Sequence, residues 1–155
     1  MHKFTCLSCV LMLILIKSEG QQRTTKAPEP PRKASKIIVM VRDSSNMLLD
    51  RIAGALYDKG FTIETKDDKV KFISTKDLPS KKWATIYKIK ARINDTAIVF
   101  TGQIAFNKDT DILGMKEAVK TYWDIESGKG GSMREAWNEL DAIARMFGDK
   151  IVYSK

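Results

Sequence analysis

The chain has 155 residues, 43% of them hydrophobic and 30% charged, a balance that suits one globular domain and leaves little room for two. Its net charge of +8 is spread unevenly. Arg23, Lys26, Arg32, Lys33 and Lys36 against Glu29 put +4 into residues 21–36, so residues 37–155 carry only +3, which argues against a nucleic-acid-binding domain.

Residues 1–20 read as an export signal. His2 and Lys3 form a minimal charged start, Leu7 to Ile16 an apolar stretch, and Ser18 and Gly20 stand at the cleavage-critical positions. That stretch is about half the ~20 residues that span a bilayer, so the expectation is a cleaved leader and a mature chain with no transmembrane segment. The mature chain would start at Gln21 and be periplasmic or secreted. Cys9 precedes most of the apolar stretch, whereas a lipid-attachment cysteine follows it. Cys6 and Cys9 both leave with the leader, so the core must hold without a disulfide. Residues 21–36 hold Pro28, Pro30 and Pro31 and lack apolar periodicity, which predicts a disordered basic linker. The remainder, 37–155, is expected to form a single domain.

The run from Lys36 to Arg42 is apolar and β-branched and predicts a buried strand. Ser44-Ser45-Asn46 supplies cap chemistry for a helix whose stripe is Leu48, Leu49, Ile52, Ala53 and Leu56, with Gly60 as its stop and Phe61 folding back. Alternation at Phe61 and Ile63, then at Val70 and Phe72, predicts a hairpin turning at Lys66-Asp67-Asp68. From Thr85 to Ile93, Tyr87, Ile89, Ala91 and Ile93 share one face and Lys88, Lys90 and Arg92 the other. A turn at Asn94-Asp95 leads to a partner strand with Ile98, Phe100, Gly102, Ile104 and Phe106 toward the core. Residues 107–117 read as an irregular connection, and Val119, Thr121, Trp123 and Ile125 as a further strand. Ser132 and Glu135 form a capping box ahead of a helix that aligns Met133, Ala136, Trp137, Leu140, Ile143, Ala144 and Phe147. Gly148 ends it, and Ile151-Val152-Tyr153 offers a short terminal strand.

The predicted class is therefore α+β. A mostly antiparallel sheet of five or six strands carries two helices on one face, in the order β-α-β-β-β-β-β-α with room for the terminal strand. This order, with its Trp137-bearing final helix over residues 36–155, resembles the small TATA-binding-protein-like or helix-grip domains of secreted envelope proteins in Gram-negative bacteria. The resemblance implies a fold and no activity.

His2 is the only histidine and goes with the leader, so the mature chain lacks the commonest general base, the commonest transition-metal ligand and any thiol. Neither an enzyme, nor a cofactor, nor a metal site is expected. Ser127-GKGG-Ser132 fails the phosphate-loop pattern because Gly130 follows Lys129. Asn107 to Asp111 fails the calcium-loop pattern because the glycine arrives late, at Gly114, and position twelve is Ala118. Asn94-Asp95-Thr96 fits a glycosylation sequon and equally a hairpin turn. Trp137 and Trp123 are expected to pack, and Trp83 to be the exposed aromatic.

One feature points to a partner. Lys76, Lys81, Lys82, Lys88, Lys90 and Arg92 against Asp77 put +5 between residues 76 and 92. The ordinary account is a solvated face that discourages edge pairing. The functional account is a surface of Lys81, Lys82, Trp83, Lys88, Lys90 and Arg92 for an anionic partner, whether lipid, acidic glycan or an envelope protein. The expected function is a non-enzymatic secreted or envelope-associated binding module. A carrier holding an apolar ligand between the final helix and the sheet is the alternative, and a carboxylate-dependent hydrolase or transferase stands behind both.

Overall fold

The computed structural model describes residues 29–42, 46–106 and 120–155. The leader, Gln21, the cap at Ser44-Ser45, the Asn107–Asp111 string and Val119 lie outside these residues. The described elements are β1 (Lys36–Met40), α1 (Asn46–Asp58), β2 (Ile63–Asp67), β3 (Phe72–Thr75) and β4 (Leu78–Pro79). They continue with β5 (Thr85–Asn94), β6 (Ala97–Phe106), β7 (Trp123–Asp124), α2 (Gly131–Arg145) and β8 (Ile151–Ser154). The class is α+β, as the patterns predict, but the sheet has eight strands instead of five or six.

The main path runs β2-β3-β5-β6-β1-β8, with β4 on β5 and β7 on β6, and every pairing is antiparallel. The terminal strand is real, and it pairs with the first, Ile38 opposite Val152. The added strand β4 is only two residues long, and one further bond, from the Ser80 N–H to the Thr85 carbonyl at 2.9 Å, closes the ladder beyond it.

Both helices lie on one face of the sheet. The side chains that meet there alternate along each strand: Ile37 and Val39, Tyr87, Ile89, Ala91 and Ile93, then Ile98, Phe100 and Ile104. From α1 come Leu48, Leu49, Ile52 and Leu56, and from α2 Ala136, Trp137, Leu140, Ile143 and Ala144. Trp137 is only 4% exposed, as its stripe predicts. Lys59 bridges to Glu139 at 3.3 Å, and Arg51 sits 6.0 Å from the Phe147 ring, so each helix meets the residues that follow the other. Gly60 adopts φ +87°, and the Phe61 N–H donates back to the Leu56 carbonyl at 3.0 Å, which buries Phe61 over the last turn of α1.

Four local expectations are corrected. The first hairpin turns over residues 68–71, not 66–68, because the Asp67 carboxylate accepts from the Lys69 and Val70 N–H groups and holds the turn there; Val70 is left exposed. The strand read from Val119 to Ile125 shortens to Trp123–Asp124 among the described residues, with Ile125 buried and Trp123 47% exposed. The capping box does not form: α2 begins at Gly131 with Gly130 as its cap, and Glu135 accepts the Ser80 hydroxyl instead. The end of the expected linker is also ordered. Ala34 is buried, its N–H donates to Ser127 Oγ at 3.0 Å, and that hydroxyl donates to the Pro31 carbonyl. Two backbone bonds between Ser127 and residues 33 and 34 complete the clamp. Ser127 thus lies buried at the head of a loop expected to be exposed, while Gly128, Lys129 and Gly130 remain outside.

Candidate functional site: an open sheet face and a cleft at the helix start

On the face turned away from the helices, β5 presents Lys88, Lys90 and Arg92 in one row, about 7 Å apart along the strand. The pairing register extends that row sideways. Arg92 lies opposite Phe72 on β3 and Val99 on β6, and Val99 lies opposite Ile38, which lies opposite Val152. One step along, Lys90 lies opposite Ser74 and Thr101, and Thr101 lies opposite Lys36. Lys36 therefore joins the basic group, a placement no linear spacing reveals because it depends on β1 entering the sheet beside β6. Met40 (44% exposed) and Val152 (53% exposed) leave apolar surface among these charges.

The three β5 cations are not equivalent. Lys90 donates to Gln103 at 3.0 Å, and Arg92 sits 5.8 Å from the Phe72 ring. The Lys88 ammonium sits 4.4 Å above the Tyr122 ring, beside an acidic group. Asp77 there accepts from Tyr122 at 2.8 Å and from Lys120 at 2.8 Å. Burial alone would raise Asp77, but those two donors and the charges of Lys120 and Lys88 hold it below its ordinary value. Burial and the bond to Asp77 push Tyr122 upward in turn. With an ionised Asp77 nearby, Lys88 adds less to the open field than Lys90, Arg92 and Lys36.

Lys81, Lys82 and Trp83 are not beside this row. Their loop folds toward α2: the Ser80 hydroxyl donates to Glu135 at 3.0 Å and accepts the Lys82 and Trp83 N–H groups. Trp83 is 48% exposed, as expected, but its ring lies near Gly131 at the helix start. The six expected residues thus split into an outer row and a loop on the helix side. Sequence alternation could not foresee this, since the loop is held by the Ser80–Glu135 bond together with backbone bonds from Ser80 to Thr85 and from Thr85 to Trp83.

A cleft of about 610 Å³ opens on the helix side, where α2 begins. Thr85, Ile104 and Phe106 face it from β5 and β6, and Trp123 from β7 in register with Ile104. Phe106 is 60% exposed, although its parity predicts a core residue, and its ring meets Trp123 edge-on at 5.7 Å. Met133 and Ser132 of the first turn of α2 reach the cleft, and among the described residues the buried part of the α2 stripe starts only at Ala136. β7 is fixed by Gly102: the Ile125 N–H donates to the Gly102 carbonyl at 2.9 Å, and the Ile125 side chain fills the space a Cβ there would need. At the rim, Lys129 bridges to Glu126 at 2.8 Å, and its hydrogen bond holds Glu126 below its ordinary value. No group of three metal-ligating side chains gathers among the described residues, and none of their helices is long and apolar enough to cross a membrane.

Comparison with known proteins gives no match, either to a family model or to a curated protein. The functional reading rests on this geometry.

Proposed function

We propose that the protein is a non-enzymatic binding module that lays its outer sheet face on an anionic lipid surface. The observation that carries the reading is the register-built group of Lys36, Lys90 and Arg92 around the apolar Ile38, Val99, Met40 and Val152. Cations supply long-range attraction to phosphate head groups, and the interspersed apolar side chains suit the boundary beneath them. An acidic glycan or acidic protein would use the cations and leave Met40 and Val152 without a role. The export signal read in residues 1–20 supports an envelope location, where such surfaces occur.

The test is co-sedimentation of the chain from Gln21 with phosphatidylcholine vesicles, with and without phosphatidylglycerol. Binding should require the anionic lipid and weaken as salt rises, because the screening length shrinks to ~3 Å near 1 M. Replacing Lys36, Lys90 and Arg92 with Glu should lower partitioning at least about 100-fold, at roughly 1 kcal/mol for each cation lost. Deleting residues 21–28 is the control for tail stickiness. The cut must stop there, since Pro31 and Ala34 are bound to Ser127. Undiminished binding by the folded triple variant would end this reading.

A further inference from the structure

We propose that the cleft at the start of α2 is a binding site for a neutral saccharide, independent of the outer sheet face. Three observations narrow the ligand. First, Phe106 and Trp123 are exposed as a pair and stand at 83° to each other, forming an apolar corner in a concavity of ordinary ligand size. Single exposed aromatics are common on protein surfaces; two in contact at the wall of a cleft are not explained by packing.

Second, the cleft's polar groups fit hydroxyls better than hydrocarbon. The Thr85 side-chain hydroxyl, at the start of β5, is buried and has no hydrogen-bond partner among the described residues. Ser132, Asp124, Tyr122 and the Glu126–Lys129 pair supply the other polar lining, beside the apolar Ile104, Ala105 and Met133. A purely apolar ligand would strip water from the exposed polar lining, Ser132 and Asp124, and return no hydrogen bond. A sugar ring offers both halves of the match: C–H faces for Trp123 and Phe106, and a rim of hydroxyls that both donate and accept.

Third, the charges oppose an anionic ligand: Lys129 is paired with Glu126, and Asp124 leaves the lining net negative. Tyr122, the third ring of the cleft, already carries the Lys88 ammonium at 4.4 Å, and its hydroxyl is bound to Asp77. A neutral polyhydroxylated ring offers donors to Asp124 and the Glu126–Lys129 pair and an acceptor or donor to Ser132. β7 is positioned before binding, because Ile125 is seated against Gly102.

The experiment is calorimetry and tryptophan fluorescence on the chain from Gln21, with maltotriose, cellotriose, chitotriose and mannotriose as probes. Sialyllactose and glucosamine serve as charged controls, and a naphthalene sulfonate dye as the apolar one. At least one neutral trisaccharide should bind with a Kd below about 10 mM and outcompete its charged counterparts. Trp123→Ala and Asp124→Asn should each weaken that binding at least about tenfold while melting like the parent. Trp83→Ala, as exposed but outside the cleft, should leave it unchanged. The proposal falls if none of the four trisaccharides binds, if binding survives in Trp123→Ala, or if the dye alone occupies the cleft. Vesicle binding by the Trp123→Ala protein should be unaffected, so failure here and failure of the lipid reading are separately visible.

Discussion

The two ends of α2 are built differently. From its middle to its C-terminal end the helix is tied to the core: Trp137 packs 6.0 Å from Tyr153, and beyond the last turn Phe147 lies 5.8 Å from Phe100. Tyr153 donates to Asp141 at 2.8 Å and accepts from Arg145 at 2.7 Å, while Arg145 also donates to Asp141. This ring of bonds ties the last strand to the helix. At the N-terminal end no side chain caps Gly130, Glu135 is turned to Ser80, and Phe106 and Trp123 stand exposed around the cleft. The contrast teaches where a small domain can keep an open concavity. The middle and far end of α2 bury enough apolar surface to hold the helix, so its first turn need not close over the sheet.

The largest effect should separate the two tryptophans at these ends. Trp137→Ala should cost about 3–5 kcal/mol, because a buried ring leaves a cavity. Trp123→Ala should stay within ~0.5 kcal/mol, since its ring is half in water. Urea melts of both variants give the comparison, and equal costs would erase the distinction between the ends.

A smaller effect should come from the hydroxyl of Tyr153. Tyr153→Phe should lower stability by about 1–1.5 kcal/mol, the net worth of its lost hydrogen bonding, with Asp141 and Arg145 still paired. The same residue gives a pH signature. Burial, then the bond to Asp141, push Tyr153 up from 10.0 to about 12. Burial, then the charges of Glu139 and Glu135, push Tyr87 up to about 12. In the unfolded chain both phenols lose their protons near pH 10, whereas the folded chain holds them longer. The unfolded state therefore binds fewer protons above that point, and stability should fall between about pH 10 and 12. Tyr153→Phe should remove part of that alkaline slope and leave the neutral-pH slope alone. Melts at stepped alkaline pH would show it.

The smallest effect is the sharpest against the sequence pattern. A capping-box serine replaced by Ala costs ~1 kcal/mol. Ser132 lies inside the helix and caps nothing, so Ser132→Ala should stay within ~0.5 kcal/mol. A loss of a full kcal/mol in a thermal melt would mean that Ser132 carries the helix start after all.

Much of the fold was legible in the chain, because alternation and helical spacing are local consequences of where Cβ points. The face shared by Tyr87, Ile89, Ala91 and Ile93, the stripe through Trp137, and the Gly60 stop all follow from neighbours a few residues away. Half of the candidate surface was legible for the same reason: Lys88, Lys90 and Arg92 share a strand and so a face. Lys36 was not, since its place beside Lys90 exists only once β1 pairs with β6. Trp83 was misplaced because its loop is held by tertiary bonds, the Ser80 hydroxyl to Glu135 and the Ser80 N–H to the Thr85 carbonyl among them.

Parity and exposure then part company at the ends of elements. Phe106 has the parity of a core residue and Trp123 shares the face of Ile104, yet both rings face a cleft. The sequence by itself determined which side of the sheet each residue occupies, since successive Cβ atoms must alternate. Only the tertiary structure decided which of those residues are covered. Coverage depends on how far a helix distant in sequence extends over the strand, and the buried stripe of α2 begins at Ala136, leaving Phe106 and Trp123 exposed.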